Sequence, residues 1–576
     1  MLKLFKYLKP YIPAIFLMLV LTYAQVMASL ALPDYMAKIV NEGIVNQDQN
    51  LIWSTGLTMI LVTLGGALAT VIVGYLSAKI GTGFSKNLRE AVFKKVEEFS
   101  MEEFNNFSTA SLITRTTNDI QQVQMVVIII FRMVLSAPIM GIGAVIKASS
   151  MAPSMTWIMG VAVAILLTII IVLFVVTVPK FKLVQELIDK LNLVTRQNLT
   201  GLKVIKAFNT ENYEKDKFDI TNKDLTKITL FINRIMVIMQ PIMMLVFNLT
   251  TIAIIWIGAH RIDVGELQIG DMIAFMQYAM QVIISFLMIS IIFILVPRAS
   301  VSAKRIVEVL ETSLRILDPQ KPKKAKGKGE VLFKNVTFSY PDADVPVLSN
   351  VSFTAKPGET TAIIGGTGSG KSTIVNLIPR FFDVKSGEIL VDGVNVKDIK
   401  KKELRARIGY VPQKGVLFSG TIESNIKYGK PTAEMNEIKQ AAKVAQATEF
   451  ISKLEDGYNS HVSQGGSNVS GGQKQRLAIA RALIIDPDIY IFDDSFSALD
   501  FETDYKLREE LKTITSDSTV IIVAQRIGTI LHADKIIVLD NGRVVGIGKH
   551  KELLRTCEVY KEIAGSQLSE KELKDE

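Results

Sequence analysis

The chain has 576 residues, 49% of them hydrophobic and 21% charged, with a formal net charge of +9. That length exceeds one domain, and a mean hydropathy of +0.31 beside so many charges excludes an evenly mixed soluble chain. The single Cys557 excludes an intrachain disulfide and reads as a small packing residue. Apolar runs all fall before about residue 297, whereas Gly-, Asp- and Lys-bearing motifs fall after about 330. A membrane part followed by a soluble part is the simplest arrangement.

At the N-terminus, Leu2, Phe5 and Leu8 alternate with Lys3, Lys6 and Lys9 ahead of Pro10, as in a short helix on an inner membrane surface. Six stretches then have the length and apolarity of spans: roughly 12–32, 51–77, 125–149, 155–178, 231–258 and 269–297. Buried helices of a soluble domain rarely run so long. The first stretch is also too long for a cleaved signal and is followed by five more. Arg132 and Lys147 are the charges inside the third.

Lys and Arg set the orientation. The N-terminus and the loops after the second and fourth spans are Lys-rich, with Lys79, Lys86, Arg89, Lys94 and Lys95 in the former loop. The connections near 33–50, 150–154 and 259–268 carry no such excess. The basic loops, both termini and the soluble part therefore belong in the cytoplasm, with the chain multi-pass in the cytoplasmic membrane. The net positive charge reflects this bias and calls for no nucleic acid.

The two inner loops, about 78–124 and 179–230, read as helical continuations of the spans, with Phe84, Leu88 and Val92 on one stripe. The membrane domain takes residues 1–318, and a basic Pro- and Gly-containing linker, P-Q-K-P-K-K-A-K-G-K-G, takes 319–329. From 330 to 576, strand-like runs at 331–338, 360–364, 489–492, 519–524 and 535–539 alternate with helical stretches such as 436–453 and 473–485. The expected fold is thus an all-α six-helix transmembrane domain with long cytoplasmic extensions, followed by an α/β P-loop domain.

Gly365, Gly366, Thr367, Gly368, Ser369, Gly370, Lys371 and Ser372 fit the phosphate-loop pattern between a strand and a helix that opens near Thr373. Glycines let backbone N–H groups approach phosphates, and the helix start adds partial positive charge. Lys371 is placed to reach the β- and γ-phosphates and Ser372 to ligate Mg²⁺. Downstream, I-Y-I-F-D-D at 489–494 delivers Asp493 to the metal shell and directs Asp494 towards an attacking water.

Between these motifs lies V-S-G-G-Q at 469–473, which resembles the signature of ABC (ATP-binding-cassette) exporters, with Val469 in place of Leu. The resemblance covers about 330–565 and extends to Tyr340 as an adenine-stacking ring, Gln413 as the glutamine linking metal to membrane domain, and Asp500 closing the D-loop. It implies ATP and Mg²⁺, with Ser372, Gln413 and Asp493 around the metal. The segments 201–214 and, less closely, 104–119 are similar to the family's coupling helices, which dock onto the cassettes. Family cassettes pair head to tail, so Ser470, Gly471, Gly472 and Gln473 would complete a partner's ATP site.

Three positions depart from the family pattern. Asp494 replaces the water-polarising Glu, Gln525 replaces His, and Gln464 replaces a Glu in the loop that touches the coupling helices. A carboxylate displaced by about 1 Å can lose roughly a hundredfold in rate, and an amide cannot carry a proton near neutral pH. Together these changes imply a site that binds ATP with impaired turnover, in a heterodimer with a second half-transporter. The implied activity is export of amphipathic or hydrophobic compounds, drug-like molecules or lipids, across the membrane. A nucleotide-gated channel or regulatory membrane protein, and a homodimeric lipid flippase, stand as alternatives. Met-rich stretches at 236–247 and 272–288 could line a cavity but read more simply as packing or lipid-facing residues.

Overall fold

A backbone in hydrocarbon must satisfy its own polar groups, which leaves the helix as the form for an isolated apolar span. The computed structural model describes residues 2–341 and 343–568. Six of its helical segments are long and apolar enough to cross a membrane, beginning at Lys3, Gln49, Thr109, Pro153, Glu211 and Ile269. Contacts divide the chain into two units, Met1–Glu97 with Ser108–Thr312, and Glu98–Phe107 with Ser313–Glu576.

The first unit is helical. Its main elements are α1 (Ile12–Lys38), α2 (Gln49–Glu97), α3 (Ile120–Ile129), α4 (Ser136–Met151), α5 (Thr156–Thr200), α6 (Glu211–Asp263) and α7 (Ile269–Glu311). The 49 residues of α2 and 53 of α6 give rods of about 73 and 80 Å, more than twice the hydrocarbon thickness. The stripe Phe84, Leu88 and Val92 on α2 is fully buried. A second inner connection forms the short helix Leu202–Phe208, ended by Asn209 in the left-handed region at φ 52°. At the N-terminus Leu4 and Leu8 are buried and Phe5 is exposed, so the inward stripe has i, i+4 spacing rather than one through Phe5.

Of the two charges expected inside the third span, Lys147 is neutralised. Its Nζ lies 2.7 Å from Asp34 on α1. The buried Tyr278 hydroxyl on α7 donates to the same carboxylate at 2.6 Å and lies 2.9 Å from the Leu30 carbonyl oxygen. Three helices thus share one polar junction, whose Leu30 and Tyr278 belong to an apolar cluster with Val26, Ala144, Ala148 and Phe275. Arg132 lies in a π-turn, Ile130–Val134, exposed and without an ion pair among the described residues.

The second unit is built on β1 (Val331–Phe338), β2 (Leu348–Ala355), β3 (Thr360–Gly365), β4 (Ser386–Val391), β5 (Val394–Asn395), β6 (Ile408–Val411), β7 (Gly420–Thr421), β8 (His461–Val462), β9 (Ile489–Asp493), β10 (Thr519–Val523), β11 (Lys535–Asp540) and β12 (Arg543–Gly548). The principal sheet runs β12-β11-β3-β10-β9-β6, parallel except for β12. An antiparallel sheet runs β2-β1-β4-β5, and β7 pairs with β8. Among its helices are α8 (Lys371–Leu377), α9 (Met435–Val444), α10 (Gly471–Leu483), α11 (Phe501–Ile514) and α12 (Glu558–Gly565). The stretch expected as one helix over 436–453 is broken after α9, where Gln446 adopts φ 54°. The basic segment at 319–329 is held to this unit: Lys323 pairs with Asp398 at 2.7 Å, and the Gly329 and Glu330 N–H groups bond Asp392 Oδ1.

Candidate functional site

β3 and β9 are fully apolar in their centres because both faces of a parallel sheet are covered. Their C-terminal ends are where such a sheet opens to a ligand. The phosphate loop leaves β3 there and enters α8. Gly368 and Gly370 have φ of 81° and 97°, conformations closed to most side chains. A Cβ at Gly365 would stand 2.2 Å from the Leu539 carbonyl oxygen, so that turn also requires glycine.

Lys371 folds over the loop and donates from Nζ to the Gly365 and Gly366 carbonyls, each at 2.8 Å. Burial pulls its ammonium below the usual lysine range, against the opposing pull of Asp494 and Asp493. Ser372 donates to Asp493 Oδ1 at 2.9 Å, which unites two of the three expected metal-shell residues. Burial pushes the Asp493 carboxyl up, Asp494 adds to the rise, and the Ser372 bond and Lys371 act against it. Tyr340 stands edge-on to Phe338 and Phe382, and its hydroxyl lies 3.2 Å from Thr373 Oγ1.

Asp494 follows in the left-handed region at φ 47°, which Asp tolerates better than most residues. Its Oδ2 accepts two amides, from Gln525 Nε2 at 2.7 Å and from Gln413 Nε2 at 3.2 Å. The three positions expected around the hydrolytic water and metal are therefore one hydrogen-bonded group. Gln413 hydrogen-bonds Asp494, and among the described residues no hydrogen bond joins it to Ser372 or Asp493.

These residues fit a magnesium nucleotide. The Ser369 hydroxyl is buried in the loop without a hydrogen-bond partner in the structure, and Lys371 spends its charge on neutral carbonyls. The Ser372–Asp493 pair is an oxygen donor set of the kind Mg²⁺ takes. When bound, MgATP supplies the phosphoanhydride bond and the metal's charge neutralisation. Lys371, the loop N–H groups and Ser369 would hold phosphates, Ser372 and Asp493 the metal, and Tyr340 the base.

The signature lies elsewhere on the surface. Ser470 caps α10, accepting from the Gln473 N–H at 3.3 Å while Gln473 Oε1 accepts from Ser470 N–H at 3.0 Å. Ser470 and Gly471 are exposed, and among the described residues no hydrogen bond joins them to the phosphate loop. Asp500 caps α11 through the Thr503 N–H at 2.9 Å and is likewise exposed. Gln464 sits in an exposed turn before Gly465.

Residues 15–286 match the family model described as ABC transporter transmembrane region, and residues 348–497 match the one described as ABC transporter. An uncharacterized ABC transporter ATP-binding protein of Mycobacterium tuberculosis is 41% identical over 98% of this chain and 97% of its own length. The chain belongs to the ABC transporter family. Another uncharacterized ABC transporter ATP-binding protein, from Bacillus subtilis, is 38% identical over 98% of each chain. The structure of a bacterial Atm1-family ABC exporter with ATP bound superposes with a TM-score of 0.82 at 25% identity, covering 98% of this chain and 99% of that one. The transporter therefore joins a multi-pass membrane region to an ATPase domain in one polypeptide.

Sequence reading missed two groups beside the site. Gln567, after α12, bonds both the Gln525 carbonyl and the Ile527 N–H, and Arg508 on α11 bonds the Gly528 and Thr529 carbonyls. No motif marks either residue.

Proposed function

We propose that this transporter is the degenerate-site half of a heterodimeric ATP-driven exporter of amphipathic or hydrophobic compounds. Its own phosphate loop holds MgATP with little turnover, and its signature, Ser470 to Gln473, completes the partner's competent site. The observation that carries this reading is the Asp494 carboxylate, whose Oδ2 is engaged by the amides of Gln525 and Gln413. A short carboxylate held by amides is poorly placed to take a proton from water, and neither amide can relay one. The machinery for holding the nucleotide is present: the glycine conformations, Lys371, the Ser372–Asp493 pair and Tyr340.

The solved neighbour described as an exporter and the basic inner loops support outward transport with the ATPase domain in the cytoplasm. Two binding-competent sites of unequal turnover are consistent with alternating access driven by cassette closure. Trapping nucleotide in a turnover-arrested complex tests the proposal. ATP should be recovered at this chain's loop, labelled through an azido-adenine probe, and predominant ADP there would reject it.

A further inference from the structure

Gln525 lies on the loop that leaves β10, and side chains from two other elements grip that loop. Gln567 Oε1 accepts from the Ile527 N–H at 2.8 Å, and its Nε2 donates to the Gln525 carbonyl at 2.9 Å. Arg508 donates from Nη1 to the Gly528 and Thr529 carbonyls at 3.2 Å each, braced by Asp504 at 3.0 Å. Gln567 is itself well placed: the preceding helix is anchored by the buried Tyr560 and Ala564, and the Gln567 N–H bonds the Ala564 carbonyl at 3.0 Å.

We propose that Gln567 is a positioning residue for this chain's nucleotide site. One planar amide spanning the carbonyl of residue 525 and the N–H of residue 527 limits the rotations between them. Holding the 525 carbonyl also restrains the Cα–C rotation of residue 525 and so the direction of the Gln525 side chain, whose own amide bonds Asp494 at 2.7 Å. Ile527 is fully buried, so losing Gln567 would also leave its N–H to find another partner. Arg508 holds the far side of the turn but among the described residues makes no hydrogen bond to residue 525 or 527, so it does not replace this control. The C-terminal segment thereby takes part in setting the nucleotide site. The inference rests on the proposed function and adds to it that the Gln525 amide, at the position of the family's His, can hydrogen-bond a γ-phosphate.

The test is MgATP binding to the purified full-length chain, with Gln525→Ala, Gln567→Ala, the double variant and Gln567→Glu, each with its melting temperature. Gln567→Ala should weaken binding about three- to tenfold, the worth of one or two neutral hydrogen bonds. The double variant should bind no more weakly than Gln525→Ala alone, since Gln567 acts through Gln525. Gln567→Glu keeps the acceptor and loses the donor, and should fall between wild type and Gln567→Ala. A merely structural Gln567 would weaken binding equally in both backgrounds, which would overturn the proposal. So would wild-type affinity in Gln567→Ala beside a weakened Gln525→Ala. Unchanged affinity in Gln525→Ala would instead defeat the γ-phosphate reading, and the proposal with it. Should Gln567→Ala fail to fold, Gln567→Met preserves side-chain length and takes the same test.

Discussion

At the scale of single residues, the proposed function separates holding a nucleotide from consuming it. Lys371 is the clearest holder, with an ammonium resting on two carbonyls at 2.8 Å that phosphate oxygens would outcompete. Lys371→Ala should weaken ATP binding at this loop by roughly 10- to 100-fold, the range for hydrogen bonds from a charged donor. Nucleotide titration of the purified chain checks this, and unchanged affinity would remove the loop from the account. Asp494→Glu alone should raise hydrolysis only about two- to threefold. The longer carboxylate reaches further, but Gln525 still provides no imidazole. A full recovery of ATPase in that single variant would show that side-chain length was the whole defect.

At the scale of elements, the sequence disclosed most where one pattern permitted one structure. Six helices long and apolar enough to cross a membrane, a phosphate loop between strand and helix, and an apolar strand ending in Asp493 were all legible, although several of the helices begin well before the apolar runs themselves. The antiparallel β2-β1-β4-β5 sheet was only partly legible, because β2 and β4 mix Ser, Asn, Thr and Glu with their apolar residues. The break after α9 was hidden because Gln446 carries no turn signature, yet its φ is 54°. Gln567 and Arg508 were invisible for another reason: their roles depend on which distant backbone they meet.

Polar ties between elements give two further expectations. Ser470 caps α10, so Ser470→Ala should cost about 1 kcal/mol of stability, while ATPase of the assembled dimer should fall far more than that loss explains. A decrease in ATPase no larger than the loss of folded protein would deny the signature its part in a partner's site. Tyr278→Phe removes one hydroxyl from the junction of α1, α4 and α7 and should cost about 1 kcal/mol, typical of interhelical bonds in membranes. Thermal unfolding in detergent measures it, and an unchanged midpoint would show that Lys147 alone satisfies Asp34.

At the scale of the whole molecule, the proposed function assigns to one polypeptide a loop that binds ATP, a group poorly placed to hydrolyse it, and a signature that serves a partner's site. Those three features agree if the working unit is a dimer whose two sites differ. The claim at the centre of the account is that this chain's site binds ATP and barely turns it over. The most direct measurement is ATPase activity of the purified wild-type chain alone in lipid, beside Asp494→Glu/Gln525→His, with ATP binding measured on both. The account predicts comparable binding, near-background hydrolysis by wild type, and at least a roughly tenfold gain in the double variant. Robust hydrolysis by the wild-type chain alone would contradict it and leave Asp494 as an adequate base.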